Sequence, residues 1–321
     1  MNKKNTAYLF PGQGAQFSGM AMDLISSNAV KTLFDTASDI FGQDVKAMLQ
    51  SDADNLKRTD VAQPAITVAN LAAAVFLSEQ GFAPAACGGF SLGEYAALVC
   101  AGIIDTADCL RLIKARGEAM QKAADKIRES AGGDAAAAPG MAAVVGLAPG
   151  QVEELIAKWK VAGLYAANIN SPKQLVVSGT AAALTEAEAK FKEAGAKRVI
   201  RLQVAGPFHS PLMADALEFF TPVLNAITFR DPVIAVFSNV TGKKISSGEE
   251  AKKLAVQQIT SPVRWVDEEA AIAASGIESC LEVGPGKVLQ GLWKDSSLTG
   301  ANGSEIPVYA AGTAEDIGKI G

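Results

Sequence analysis

Gly89-Phe90-Ser91-Leu92-Gly93 decides how this chain is read, because it stands where a strand hands over to a helix. Upstream, Pro84-Ala85-Ala86-Cys87-Gly88 is short, apolar and uncharged, as a buried strand is. Downstream, Glu94-Tyr95-Ala96-Ala97-Leu98-Val99 suits the first turns of a helix, with an acid near the positive end of its dipole. A serine on such a corner is held in a sharp turn with its hydroxyl exposed. Glycines on both sides remove side chains that would block the turn or a substrate. The backbone N–H of Leu92 then falls at a helix N-terminus, where it can stabilise an oxyanion. In a chain this rich in Gly and Ala the same pattern also fits a plain tight turn, so the serine needs a base to be informative.

The chain has one histidine, His209, which leaves a Ser–His mechanism no choice of partner. It lies in Gly206-Pro207-Phe208-His209-Ser210-Pro211, a turn-rich segment after the apolar run 199–204. Alone, it also reads as an incidental loop histidine; the serine and the histidine are persuasive together.

A chain of 321 residues supports a large core, or a large domain with a smaller one inserted. With 49% hydrophobic and 20% charged residues it is a globular enzyme by composition, not a disordered chain. Net charge is −5 with no basic block, which argues against nucleic acid as partner. Cys87, Cys100, Cys109 and Cys280 form no C-x-x-C pair and read as small side chains in a reducing compartment. One histidine and scattered cysteines give a metal site little support. The apolar run 7–10 is too short for a signal-peptide core, and 68–77 is far short of a membrane span, so the expectation is a cytoplasmic protein without membrane contact.

Along the chain, 7–10 reads as a buried strand ended by Pro11-Gly12-Gln13-Gly14. Helical patterns cover 29–41 and 61–80, and Thr106 is the expected N-cap of a helix over 107–127. The Ala/Gly-rich stretch 129–140 reads as a mobile connector. Beyond it the rhythm is strand 141–147, helix 149–160, strands 164–169 and 174–178, helix 182–194 and strand 197–204. That β-α-β-β-α-β order is the ferredoxin-like unit. Further strands are expected at 233–239, 279–283 and 307–310. The fold class is therefore α/β, a mostly parallel sheet core (1–138 and 206–321) with an inserted ferredoxin-like α+β subdomain (139–205) and a substrate cleft between them.

An ordinary α/β-hydrolase places Ser, then Asp or Glu, then a late His. Here the acids between Ser91 and His209 fall in helical or connector stretches, a long α/β segment follows His209, and no HGGG-type loop exists. A patatin-like Ser–Asp lipase lacks its Asp-Gly dipeptide. Chain order argues against both.

The blocks of sequence match something more specific. Phe10-Pro11-Gly12-Gln13-Gly14-Ala15-Gln16, the stretches 89–98 and 206–213, Ser238-Asn239-Val240-Thr241-Gly242, Pro262-Val263-Arg264-Trp265 and Glu282-Val283-Gly284-Pro285-Gly286 together resemble malonyl-CoA:acyl-carrier-protein transacylases and the related acyltransferase domains of polyketide and fatty-acid synthases. The resemblance spans nearly the whole chain. It implies an α/β-hydrolase-like core with a ferredoxin-like insert. It implies malonyl-CoA and holo acyl carrier protein as partners, with a coenzyme A thioester as substrate and no bound cofactor.

Residue by residue, the resemblance implies Ser91 as nucleophile and His209 as base, oriented by the backbone carbonyl of Gln258 in place of a carboxylate. It implies an oxyanion hole from the N–H groups of Gln13 and Leu92. Arg116 matches the arginine that binds the malonyl carboxylate, which a planar guanidinium can hold through two hydrogen bonds. Gln63 and Asn168 match positions near the family's pocket, though a helix-start or turn role fits each equally. Phe208, before the histidine, goes with malonyl rather than methylmalonyl specificity in related domains. One departure stands out: the residue before the nucleophile is usually histidine in this family, and here it is Phe90. For an acidic carrier protein, Lys190, Lys192, Lys197, Arg198, Arg201, Lys287 and Lys294 are docking candidates, or simply solvated faces. The rival readings are an acyl-thioester hydrolase, an acyltransferase with another donor, and a non-catalytic carrier-binding subunit.

Overall fold

The computed structural model describes residues 2–132, 138–300 and 303–320. The N-terminal part runs β1 (Thr6–Phe10), α1 (Asn28–Phe41), α2 (Val45–Leu49), α3 (Thr59–Glu79), β2 (Pro84–Gly89), α4 (Gly93–Cys100) and α5 (Thr106–Ser130). The middle runs β3 (Gly140–Val145), α6 (Pro149–Trp159), β4 (Leu164–Ser171), β5 (Gln174–Gly179), α7 (Ala181–Glu193) and β6 (Arg198–Arg201). The remainder is α8 (Ala216–Asn225), β7 (Ala235–Val236), α9 (Gly248–Gln257), α10 (Trp265–Ala274), β8 (Ser279–Glu282), α11 (Val288–Ser296), β9 (Val308–Ala310) and α12 (Ala314–Ile320).

The strands form two sheets. One has the order β7-β2-β1-β8-β9 and is parallel throughout. Its central strand β1 is buried at every position, which is why Thr6-Ala7-Tyr8-Leu9-Phe10 reads as a continuous rather than an alternating apolar run. The other has the order β4-β5-β3-β6 with antiparallel pairs, the strand order of the ferredoxin-like unit. Its period-2 pattern serves two cores. Ala142 and Val144 pack with Val152 of α6 and with Leu184, Ala187 and Phe191 of α7. Met141 and Ala143, on the opposite face, join the large core with α3 and α5.

Four expectations change. Asp105, not Thr106, caps α5, its carboxylate accepting from the Asp108 N–H. The expected strand 197–204 is a strand only over Arg198–Arg201, although Lys197 and Leu202 still donate to Val145 and Met141 of β3; Leu202, Gln203 and Val204 line a pocket. The expected strand 233–239 shortens to Ala235–Val236 on the sheet edge, with Phe237 joined by an isolated bridge to Lys244 and a hydrogen bond to Cys87. Of the expected connector, Glu129 and Ser130 continue α5, and 133–137 lie outside the described residues. Helix α3 is long and apolar enough to cross a membrane by length and composition, but 72% of its most apolar window is buried within the protein.

Glycines set the spacing where β1 and β2 end. A Cβ on Gly93 would stand 2.1 Å from the Phe10 carbonyl oxygen, and one on Gly12 would stand 2.4 Å from that of Phe90. The turn after β1 and the turn after β2 are therefore pressed together backbone to backbone. Gly93→Ala should destabilise the protein by about 3 kcal/mol, the upper end of overpacking costs. Urea unfolding checks this, and an unchanged midpoint would mean that the two turns can separate freely.

Candidate active site

Strand β2 stops at Gly89 and α4 starts at Gly93, so Ser91 occupies the corner between them with φ of 52°. His209 follows the small sheet, also with positive φ, 55°. The corner and the loop meet. Ser91 Oγ lies 2.8 Å from His209 Nε2, and His209 Nδ1 lies 3.0 Å from the Gln258 carbonyl oxygen. A carbonyl only accepts, so Nδ1 carries the proton and Nε2 is left to accept from the serine hydroxyl. Gln258 is the C-cap of α9, where carbonyls have no helical partner and are free for such use. The histidine is buried, its loop tied down by the Ser178 hydroxyl donating to the Phe208 carbonyl. Burial, with the neighbouring Arg116 charge, pulls the imidazole pKa down to about 4, against the opposing pull of the Gln258 carbonyl.

Arg116 projects from α5 and is fully buried, so it is no solvated helix charge. Its two terminal nitrogens donate to Gln63 Oε1 at 2.7 Å, to Gln258 Oε1 at 3.1 Å and to Ser91 Oγ at 3.3 Å. Gln63, on α3, therefore orients the guanidinium, and its own amide nitrogen points to Met120 Sδ at 3.3 Å. Burial lowers the Arg116 pKa, with the nearby Tyr95 and Glu94 opposing it. A guanidinium remains charged at neutral pH.

Ser91, His209, Arg116, Gln63, Gln13, Leu92, Asn168 and Phe208 all line one pocket of about 160 Å³ between the two sheets. Gln258 lies beneath it, buried. The Gln13 and Leu92 N–H groups have no hydrogen-bond partner among the described residues. Both stand at the C-terminal ends of adjacent parallel strands, brought together by the glycine contacts above. Asn168 lies on β4 with its buried Oδ1 unpartnered among the described residues. Phe90 also lines the pocket and meets Trp265 edge to face, ring centroids 5.6 Å apart. The position for which the family resemblance implies histidine is thus an apolar contact here. Of the docking candidates, Lys190, Lys192 and Arg201 pair with Glu186 and Glu188 on α7.

Sequence reasoning missed what lies below the serine. Glu94 is buried. Its Oε2 accepts from the Asn239 N–H at 2.8 Å and from Gln258 Nε2 at 3.1 Å, and burial pushes its pKa up to about 7. Glu94 does lie in the first turn of α4, as expected, but nothing in the sequence signals its burial or these partners. Asn239 and Glu268 complete this buried layer. The one visible signal was that Asn239 stands inside a block that carries the family resemblance. Among the described residues no group of three or more His, Cys, Asp or Glu side chains is arranged to hold a metal ion.

A serine on a strand–helix corner, a histidine held by a carbonyl and a buried arginine within 3.3 Å of the serine oxygen are an arrangement suited to acyl transfer on an α/β scaffold. The family model described as the acyl transferase domain matches residues 7–310. The malonyl CoA-acyl carrier protein transacylase of Escherichia coli is 40% identical over 294 residues, covering 90% of this chain and 91% of that one. An acyl carrier protein S-malonyltransferase from Vibrio cholerae superposes with a TM-score of 0.88 at 34% identity, covering 99% of this chain and 100% of that one. A malonyl-transacylase solved in complex with a type II PKS acyl-carrier protein gives a TM-score of 0.86 at 34% identity, covering 98% and 97%. The chain belongs to the acyl transferase domain family, among the malonyl-CoA:acyl-carrier-protein transacylases.

Proposed function

We propose that this protein moves a malonyl group from malonyl-CoA to the phosphopantetheine thiol of an acyl carrier protein, in fatty-acid biosynthesis, through a seryl ester. The observation that carries the reading is the hydrogen-bonded line from Ser91 Oγ through His209 to the Gln258 carbonyl, with Arg116 3.3 Å from the same oxygen. Ser91 Oγ attacks the thioester carbonyl while its proton passes to His209 Nε2. The oxyanion is held by the N–H groups of Gln13 and Leu92, and the collapsing intermediate expels coenzyme A, which takes the proton from His209. The carrier thiol then attacks the ester carbonyl as its proton passes to His209 Nε2. The second intermediate collapses by breaking the bond to Ser91 Oγ, which takes that proton back. The malonyl carboxylate is held by Arg116, steadied by Gln63 and Gln258, with Phe208 and Asn168 shaping the chamber. No bound cofactor takes part. The core is formed by 1–138 and 206–321, the subdomain by 139–205, and the site is at their junction. Four free cysteines support work in the cytoplasm.

Intact-protein mass tests the reading directly. The expected result is a malonyl adduct on Ser91 that forms with malonyl-CoA, survives in water and is cleared by holo carrier protein. An adduct lost to water as fast as it forms would mean a hydrolase. No adduct on folded protein would mean another donor or an inactive relative.

The pH dependence follows from the histidine. A base must be neutral to accept a proton, and an imidazole held at about 4 stays neutral far below its usual range. The kcat/KM for malonyl-CoA should therefore stay flat as pH falls from 8 to 5, with its acid limb near 4. A limb centred near the ordinary imidazole value would contradict this.

A further inference from the structure

Ser91 is gripped by side chains from outside its own turn. Its N–H donates to Asn239 Oδ1 at 2.7 Å, and its carbonyl accepts from Gln258 Nε2 at 3.0 Å. Asn239 Nδ2 donates to the Gly89 carbonyl at 2.7 Å and to Glu268 Oε2 at 2.6 Å. The other oxygen of Glu268 accepts from the Gly89 N–H at 3.1 Å. Asn239 and Glu268 are both fully buried. Gly88 leaves room for the acid, since a Cβ there would stand 2.7 Å from Glu268 Oε1.

This arrangement has a direction. The Asn239 amide fits one way only, with oxygen toward the serine N–H and nitrogen toward Gly89 and Glu268. Turned over, it would face donor to donor at Ser91 and oxygen to oxygen at Glu268, leaving buried groups unpaired. The Ser91 N–H and the Gly89 carbonyl thus set the orientation of the amide, Glu268 holds its nitrogen in place, and the amide fixes the peptide group that enters a serine of positive φ. Within the turn itself, the Ser91 carbonyl accepts only a long bond from the Glu94 N–H, 3.2 Å.

We propose that Asn239 and Glu268 are a positioning pair for the nucleophile. They hold the Gly89 and Ser91 peptide units so that Ser91 Oγ stays in line with His209, and neither touches the acyl group. The proposal rests on Ser91 being the nucleophile. A misplacement of about 1 Å at a reacting atom costs on the order of 10²-fold in rate.

The test is the burst of coenzyme A release from malonyl-CoA, per folded molecule, in the parent, N239D, E268Q and N239D/E268Q. N239D keeps the shape and the oxygen at Ser91 but sets oxygen against oxygen at Glu268 and at Gly89. Its burst rate should fall about 10²-fold with KM changed less than threefold. E268Q should also be slow, because one of its two acceptor contacts becomes donor against donor. In N239D/E268Q the new amide donates to the new acid, and at least tenfold of the N239D loss should return, which simple loss of packing would not produce. If N239D does not fold, the double variant must recover both folding and burst. An N239D burst at the parent rate, or a folded double variant no faster than N239D, overturns the proposal. A parent enzyme without any burst would instead overturn the function on which it rests.

Discussion

Replacing Ser91 by alanine will abolish the malonyl adduct and lower kcat by on the order of 10⁶-fold, the loss typical when a nucleophile that works with a base is removed. No cysteine can substitute. The four cysteines are buried or only partly accessible, and none of them lines the pocket. His209 would still be held by Gln258, so the variant should fold and bind malonyl-CoA. Intact mass after mixing, with thermal unfolding as control, is the measurement. A Ser91→Ala protein that acylates at the parent rate would remove Ser91 from the mechanism.

Arg116→Ala will change which acyl group is used. Losing the partner of a buried, hydrogen-bonded charge costs about 2–5 kcal/mol. At about 1.4 kcal/mol per decade, kcat/KM for malonyl-CoA should fall roughly 30- to 4,000-fold. Acetyl-CoA has no carboxylate to lose, so the ratio of the two rates should swing toward acetyl. A second effect has a definite sign. The Arg116 charge is one of the causes that hold the His209 pKa low, so its removal must raise that pKa and move the acid limb upward from about 4. The chain's one imidazole can be titrated directly by NMR. Malonyl preference that survives Arg116→Ala intact would place the carboxylate contact elsewhere.

Much of the scaffold was legible because the signals were local. The uncharged run 84–88 and the glycines around Ser91 are enough to expect a strand, a corner and a helix, and β2 and α4 lie there. The order of elements from 141 to 204 is that of β3 to β6, and the strand order matches. Strand ends were less legible, since Val204 and Phe237 are as apolar as their neighbours and only tertiary pairing tells which residues join a ladder. The pocket residues came from the resemblance, and they do meet in one cavity. Asn239 and Glu268 were not legible. Each bonds to a turn more than 140 residues away in the chain, and no spacing rule carries a contact over that separation. For Gln258 the backbone role was expected, but not its amide contacts to Arg116, Ser91, Glu94 and Asn239.

Ser91 and His209 share an unusual backbone state, φ of 52° and 55°, where a side chain costs about 1–2 kcal/mol that glycine would not incur. Ala21, Lys160 and Ser297 share that state and could take glycine to relieve the cost, whereas in the proposed mechanism glycine at 91 or 209 would remove the nucleophile or its base. Heat tolerance can therefore be sought by glycine at positions 21, 160 and 297, while a screen that scores melting alone, with no activity readout, would not protect residues 91 and 209.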